Sequence, residues 1–128
     1  MKKKVAINGF GRIGRLVYRA FLERSNEFSD QYEIAYINDL ADIDTNIHLL
    51  KYDSIHGPLS KEINKISNEQ FSIEENKVTV TSERNPIDLN WSDKNVDIIL
   101  ECTGVFASKD KAMLHVESGA SKVIVSAP

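Results

Sequence analysis

Three glycines, in Gly9-Phe10-Gly11-Arg12-Ile13-Gly14, have the G-x-G-x-x-G spacing and stand between the apolar run Val5-Ala6-Ile7 and a helical pattern. The chemistry such a turn supports is anion binding by the main chain. Gly9 permits the tight turn, Gly11 lets a pyrophosphate reach the backbone without meeting a Cβ, and Gly14 lets the helix pack closely on the sheet. The N–H groups that open the helix face the anion, helped by a macrodipole equivalent to roughly half a positive charge. A purely structural glycine turn is the competing reading, and the strand-turn-helix setting argues against it.

Asp39 follows Asn38 at the carboxyl end of the next apolar run, where an acid can accept hydrogen bonds from an adenosine ribose. A carboxylate there also selects the dinucleotide. A 2′-phosphate ~4 Å away would be repelled by about 4 kcal/mol per charge pair at an effective dielectric of ~20. Even half of that is a factor of roughly 30 in affinity, so NAD is favoured over NADP. Asp39 could also cap the following helix, and both roles can coexist.

Arg12, the first helical side chain beside the turn, suits an auxiliary phosphate contact and a solvated surface position equally. Thr103-Gly104 and Ser126-Ala127 follow later apolar runs, on the rim where open α/β sheets bind ligands; ordinary polar turn residues fit there as well. Cys102 is the single cysteine, which excludes an internal disulfide and a multi-cysteine metal site. Its place after Val96-Asp97-Ile98-Ile99-Leu100-Glu101 suits a small buried hydrophobe better than a reactive thiol. His48, His56 and His115 have no ligand-like spacing and read as surface or helix-packing residues. No catalytic residue and no metal ligand are expected.

These groups need a particular scaffold. Val5-Ala6-Ile7 reads as a strand, and Ile13, Leu16, Val17, Ala20 and Phe21 as the apolar stripe of a helix with Arg15, Arg19 and Glu23 on its wet side. After the polar stretch Ser25 to Gln31, Ile34-Ala35-Tyr36-Ile37 reads as a central parallel strand. Asp42 or Asp44 can cap a helix whose Ile43, Ile47 and Leu50 share a face. Phe71, Ile73, Val78 and Val80 alternate with polar residues around Glu75-Asn76, the pattern of an antiparallel hairpin. Val96 to Leu100 then gives a buried strand, Ser108 to Val116 a helix ended by Gly119, and Val123-Ile124-Val125 another strand. The expected fold class is α/β, a Rossmann-type doubly wound, mostly parallel sheet with an inserted antiparallel hairpin, in one domain over residues 1–128.

Composition agrees with a folded domain: 41% of the 128 residues are hydrophobic and 27% charged. A formal net charge of -3 argues against a broad basic surface for nucleic acid. No apolar run approaches the ~20 residues that span a bilayer, and Met1-Lys2-Lys3-Lys4 leads into a strand without a signal-peptide apolar region, so a cytosolic protein is expected.

Four segments carry a family resemblance: Val5-Ala6-Ile7-Asn8-Gly9-Phe10-Gly11-Arg12-Ile13-Gly14-Arg15, Leu49-Leu50-Lys51-Tyr52-Asp53-Ser54-Ile55-His56-Gly57, Glu101-Cys102-Thr103-Gly104-Val105-Phe106 and Lys122-Val123-Ile124-Val125-Ser126-Ala127-Pro128. In this order they resemble the amino-terminal NAD-binding domain of phosphorylating glyceraldehyde-3-phosphate dehydrogenases. In that family an aldehyde forms a hemithioacetal with a cysteine, hydride passes to NAD, and inorganic phosphate attacks the thioester to release an acyl phosphate, with a histidine as base. The resemblance implies a cofactor-binding set of Asn8, Gly9, Phe10, Gly11, Arg12, Ile13, Gly14, Asp39, Arg84, Thr103, Gly104, Phe106 and Ser126. Within it Arg12 and Ile13 belong at the pyrophosphate, Asp39 at the ribose, and Arg84 at the adenine through its backbone. Thr103, Gly104 and Phe106 line the adenosine pocket, and Ser126 approaches the nicotinamide. The resemblance further implies a cytoplasmic glycolytic enzyme, homotetrameric at full length, acting on glyceraldehyde 3-phosphate and phosphate, with no nucleic-acid or membrane partner. The Ser-Cys-Thr-Thr-Asn motif of the family's nucleophile is not among residues 1–128, and Cys102 belongs to a different motif, Glu-Cys-Thr-Gly, so this stretch alone is expected to be inactive. Erythrose-4-phosphate dehydrogenase, which shares these motifs, and a free-standing NAD-binding module are the alternatives.

Overall fold

A computed structural model describes residues 2–24, 31–53, 57–59, 61–74, 76–104 and 109–126. The chain opens with strand β1 (Lys3–Asn8), helix α1 (Arg12–Glu23) and strand β2 (Tyr32–Asn38), the first βαβ unit. Helix α2 (Ile43–Lys51) and the short strands β3 (Tyr52–Asp53) and β4 (Gly57–Pro58) follow. An antiparallel section comes next, made of β5 (Ile63–Lys65), β6 (Gln70–Ile73) and β7 (Asn76–Thr81). A 3-10 turn (Pro86–Leu89) and the one-turn helix α3 (Trp91–Lys94) lead to β8 (Ile98–Glu101), helix α4 (Lys109–Glu117) and β9 (Lys122–Val125).

The main sheet has the order β5-β6-β7-β2-β1-β8-β9 and is parallel from β7 to β9. The expected hairpin is β6–β7, with Phe71 facing Val78 across it, and β5 extends it by a third antiparallel strand. Because β1 is central, successive side chains must both be buried, and Ala6 and Ile7 are. Val5 and Ile7 face Tyr18 and Leu22 of α1, Ile43 and Leu50 of α2, and Phe71, Ile73 and Val78. Ala6 faces the opposite layer with Leu89, Trp91, Val96, Ile99 and Ala120. Asp42 caps α2, its carboxylate accepting from Thr45 N–H at 2.8 Å. Helix α4 ends near Gly119 at φ 118°, close to the expected boundary; Ser108 lies outside the described residues.

The face that α1 buries differs from the apolar stripe. Gly14, Tyr18, Arg19 and Leu22 are buried, whereas Ile13 is 48% exposed, Ala20 is exposed, and Leu16, Val17 and Phe21 are half-buried. The reason is the turn: a Cβ on Gly14 would lie 2.3 Å from Gly9 O, so the helix sits at its closest approach at residue 14, and the i, i+4 row from there runs through 18 and 22. Arg19 therefore lies inside rather than on the wet side. Its guanidinium donates to Leu50 O at 3.2 and 2.7 Å and to Lys51 O at 3.2 Å, at the carboxyl end of α2. No helix among the described residues is long and apolar enough to cross a membrane.

Candidate functional site

Parallel pairing puts the carboxyl ends of β7, β2, β1 and β8 side by side, Asn8 being in register with both Asn38 and Glu101. At this rim a cavity of about 430 Å³ is lined by Asn8, Gly9, Gly11, Asn38, Asp39, Leu40, Glu83, Arg84, Cys102 and Thr103. Six expected residues thus share one cavity: Asn8, Gly9, Gly11, Asp39, Arg84 and Thr103. Gly14 is buried behind the turn, and the Phe10 side chain is buried in the core. Arg12 and Ile13 are exposed at the start of α1 and do not line the cavity. Gly104 is exposed next to Thr103 at φ 77°; Ser126, exposed, is not itself in the lining but donates its N–H to Glu101 O at 3.0 Å and hydrogen-bonds with the lining residue Cys102. Phe106 lies outside the described residues.

The glycines divide their work by geometry. Gly9 takes φ 92°, a left-handed conformation that favours glycine, and a Cβ there would meet Thr103 Cγ2 at 2.6 Å. Apart from its chain neighbours, a Cβ on Gly11 would meet no atom of the described residues within 4 Å, so this face of the turn is open among them. Helix α1 has no side-chain cap among the described residues and no acidic residue in its first turn; its first intrahelical bond is Arg15 N–H to Gly11 O at 3.0 Å. The N–H groups ahead of that bond have the geometry that receives an anion. Arg15, expected in water, places Nη1 3.0 Å from Phe10 O and adds positive charge at the turn.

Asp39 is tied to the turn itself. Its Oδ1 accepts from Phe10 N–H at 2.9 Å and its Oδ2 from Ala41 N–H at 3.0 Å, while the cap of α2 falls to Asp42.

Sequence reasoning missed the polar strip under the cavity. Asn38 Oδ1 accepts from Thr81 Oγ1 (2.8 Å) and Glu83 N–H (2.9 Å), and its Nδ2 donates to Glu83 O (2.8 Å) and Asn8 Oδ1 (2.7 Å). Asn8 Nδ2 donates in turn to Glu101 Oε1 at 2.6 Å. The same oxygen lies 2.8 Å from His115 Nε2, whose Nδ1 lies 3.0 Å from Trp91 Nε1. Glu101 Oε2 accepts from Thr103 N–H (2.9 Å) and Oγ1 (2.6 Å). Burial raises the Glu101 pKa, but hydrogen bonds from His115, Thr103 and Asn8 outweigh it and hold the group below the ordinary glutamate range. The available signal was positional: Asn8, Asn38 and Glu101 each end a strand at one rim.

Cys102 is half-buried against the core. Burial pushes its thiol pKa up and the Glu101 charge pushes it further, against a hydrogen bond with Ser126. That is the setting of an unreactive thiol. No group of three or more His, Cys, Asp or Glu able to hold a metal occurs among the described residues. The rim thus sets main-chain N–H groups suited to an anion beside a carboxylate held by the backbone.

A family model described as glyceraldehyde 3-phosphate dehydrogenase, NAD binding domain, matches residues 3–109. A glyceraldehyde-3-phosphate dehydrogenase of Mycoplasma pneumoniae is 50% identical over 125 residues, 98% of this chain and 35% of the relative. One from Thermotoga maritima is 46% identical over 125 residues, 98% of the chain and 36% of the relative. The plasmid-borne glyceraldehyde-3-phosphate dehydrogenase of Cupriavidus necator is 45% identical over 128 residues, the whole chain and 37% of the relative. The chain thus spans little more than a third of the length of these curated relatives.

Proposed function

The chain belongs to the glyceraldehyde-3-phosphate dehydrogenase family, matching its NAD-binding domain, and from that premise we propose that the cavity at the ends of β1, β2 and β8 is where NAD is held. The N–H groups of Gly11, Arg12 and Ile13 receive the pyrophosphate, with Arg15 and Arg12 supplying positive charge. Asp39 receives the adenosine ribose. Arg84, through its backbone, and Thr103, Gly104 and Phe106 flank the adenosine, with Asn8, Gly9 and Phe10 forming the turn beneath the phosphates; Ser126 lies toward the nicotinamide. Bound NAD supplies the hydride acceptor, and the residues of this chain hold and orient it. The observation that carries the reading is the uncapped start of α1 beside Gly11, where a Cβ would find open space, with Asp39 hydrogen-bonded to the same turn.

The reading extends to the full-length protein. Residues 1–128 act as one NAD-binding domain of an enzyme that oxidises glyceraldehyde 3-phosphate and joins it to inorganic phosphate, giving 1,3-bisphosphoglycerate in glycolysis. That enzyme is a cytoplasmic homotetramer, its nucleophile and base lie outside these residues, and this stretch alone turns over no substrate. Calorimetric titration with NAD is the test: one molecule bound per chain is expected, and no binding at millimolar NAD would overturn the assignment. For the substrate, faster turnover of erythrose 4-phosphate than of glyceraldehyde 3-phosphate by the full-length enzyme would overturn that part alone.

A further inference from the structure

Apart from the return bond of Asn38 Nδ2 to Glu83 O, donation along the strip runs toward Glu101 from both ends. Glu83 gives Asn38 both a donor and an acceptor, which fixes the orientation of the Asn38 amide and leaves an Nδ2 proton for Asn8 Oδ1. Asn8 is fixed in consequence, with Nδ2 on Glu101. From the other end, Trp91 Nε1–H can only donate, so His115 Nδ1 accepts and the ring proton sits on Nε2, toward Glu101. Donors thus converge on Glu101 from β1, from α4 and from Thr103. Aligned hydrogen bonds of this kind polarise one another, most strongly when the chain ends on an anion.

We infer that Glu101, which does not itself line the cavity, is a positioning residue for the dinucleotide site, tying the Glu83–Arg84 loop, through Asn38 and Asn8, to Thr103 and relaying the state of both to the indole of Trp91. The inference rests on the assignment of that cavity to NAD. Glu83 and Arg84 line the cavity with Thr103, and Thr103 packs against Gly9 so closely that a Cβ there would lie 2.6 Å from its Cγ2. Holding Thr103 therefore also backs the turn that receives the phosphates. A ligand that draws on Thr103 or on the main chain at residues 83–84 shifts electron density on Glu101, hence on His115, hence at the Trp91 N–H. Trp91 is fully buried in the opposite layer and is the only tryptophan in residues 1–128, and its N–H is bonded to His115, so its indole resonance is a single, assignable reporter on the end of this strip.

The test pairs NAD calorimetry with the ¹H–¹⁵N indole resonance of Trp91 in the purified protein. In the wild type the resonance should move in step with NAD saturation. Glu101→Gln keeps the side-chain volume but turns one acceptor oxygen into a donor facing other donors. It should weaken NAD binding by about tenfold or more, and its indole should no longer track saturation when NAD is raised to compensate. A merely structural Glu101 would lower the unfolding midpoint while leaving the affinity and the indole response of the folded variant intact, and that result overturns the inference. Should Glu101→Gln fail to fold, the wild-type titration decides: normal NAD binding with an unmoved indole overturns the inference alone. No NAD binding by the wild type overturns the cavity assignment and the inference together.

Discussion

The main-chain N–H of Phe10 donates to Asp39 Oδ1 at 2.9 Å, joining the acid that follows β2 to the glycine turn that follows β1. The second oxygen is held by Ala41 N–H, so the backbone fixes the carboxylate and its charge lies at the wall of the cavity. Asp39→Asn retains an acceptor for Phe10 and removes the charge. The preference for NAD over NADP should then fall from roughly 30-fold or more toward parity, since the repulsion of the 2′-phosphate is lost. Competitive calorimetry checks this, and an unchanged preference removes Asp39 from the ribose role.

Gly11 and Gly14 should respond in opposite ways to alanine. A Cβ at Gly14 would sit 2.3 Å from Gly9 O and 3.2 Å from Ile7 Cγ2, so helix and turn must separate, at a cost of about 1–3 kcal/mol. A Cβ at Gly11 meets nothing within 4 Å, and its φ of -78° suits any residue, so Gly11→Ala should change stability by less than about 1 kcal/mol. Its effect should fall on NAD affinity, because in the proposed site the added methyl stands where the pyrophosphate would approach. Chemical denaturation and NAD titration of both variants separate the two effects, and wild-type NAD affinity in Gly11→Ala would mean that the phosphates lie elsewhere.

The parts legible in the sequence are those whose physics is local. The glycine spacing, Asp39 just past its strand and the alternation around Phe71 and Val78 each lie within a few residues, and the structure has them as read. The face of α1 was misread because an apolar stripe at Ile13, Leu16, Val17 and Phe21 need not face the core. Close approach of Gly14 to Gly9 turns the helix, burying Tyr18 and Arg19 and leaving part of that stripe beside Ile98, Leu100 and Ile124 in a groove. The Glu101–His115 contact was invisible for another reason. Charged and polar residue types are read as surface by default, and what satisfies Glu101 comes from β1, from α4 and from its own loop, a convergence that only the folded sheet creates.

Arg19 is a buried cation whose described partners are main-chain carbonyls, those of Leu50 and Lys51 at the end of α2 where the helix dipole is negative. Arg19→Met fills much of the same space but leaves those carbonyls without their charged donor, and should cost about 1.5–3 kcal/mol. Arg19→Lys should restore little of this, because an ammonium lacks the fork that reaches both carbonyls. Urea midpoints decide the matter, and midpoints equal to that of the wild type would mean that α2 needs no such anchor.

Glu101 gives the fold a defined acid limit. Its pKa in the folded chain is depressed by the bonds from His115, Thr103 and Asn8, against burial, while in the unfolded chain it returns to about 4.3. Between those two values the unfolded state binds more protons, so the contribution is complete above the unfolded value and is lost as pH falls through the folded one. Stability should thus decline below about pH 4.5. Asp42, whose carboxylate is lowered first by the Thr45 N–H, adds a slope of the same sign, so Glu101→Gln should flatten the decline without abolishing it. Urea denaturation from pH 3 to 7 measures both curves, and parallel slopes would show that Glu101 is not the group responsible.

Cys102 lines the cavity, and its reactivity can therefore report occupancy. Burial raises the thiol pKa and the neighbouring Glu101 charge raises it further, so little thiolate, the reacting form, exists near neutrality. Alkylation by iodoacetamide at pH 7.5 should be slower than that of a free cysteine by about tenfold or more. Saturating NAD should slow it again, because a dinucleotide seated on Gly11 and Asp39 closes the approach to the same cavity. Replacing Glu101 by glutamine removes the repelling charge and should speed alkylation in the absence of NAD while leaving protection by NAD to follow the weakened affinity. Mass spectrometry of timed samples follows all three rates. Labelling at the rate of an unstructured thiol, unaffected by NAD, would place the nucleotide away from Cys102 and from the wall it shares with Thr103.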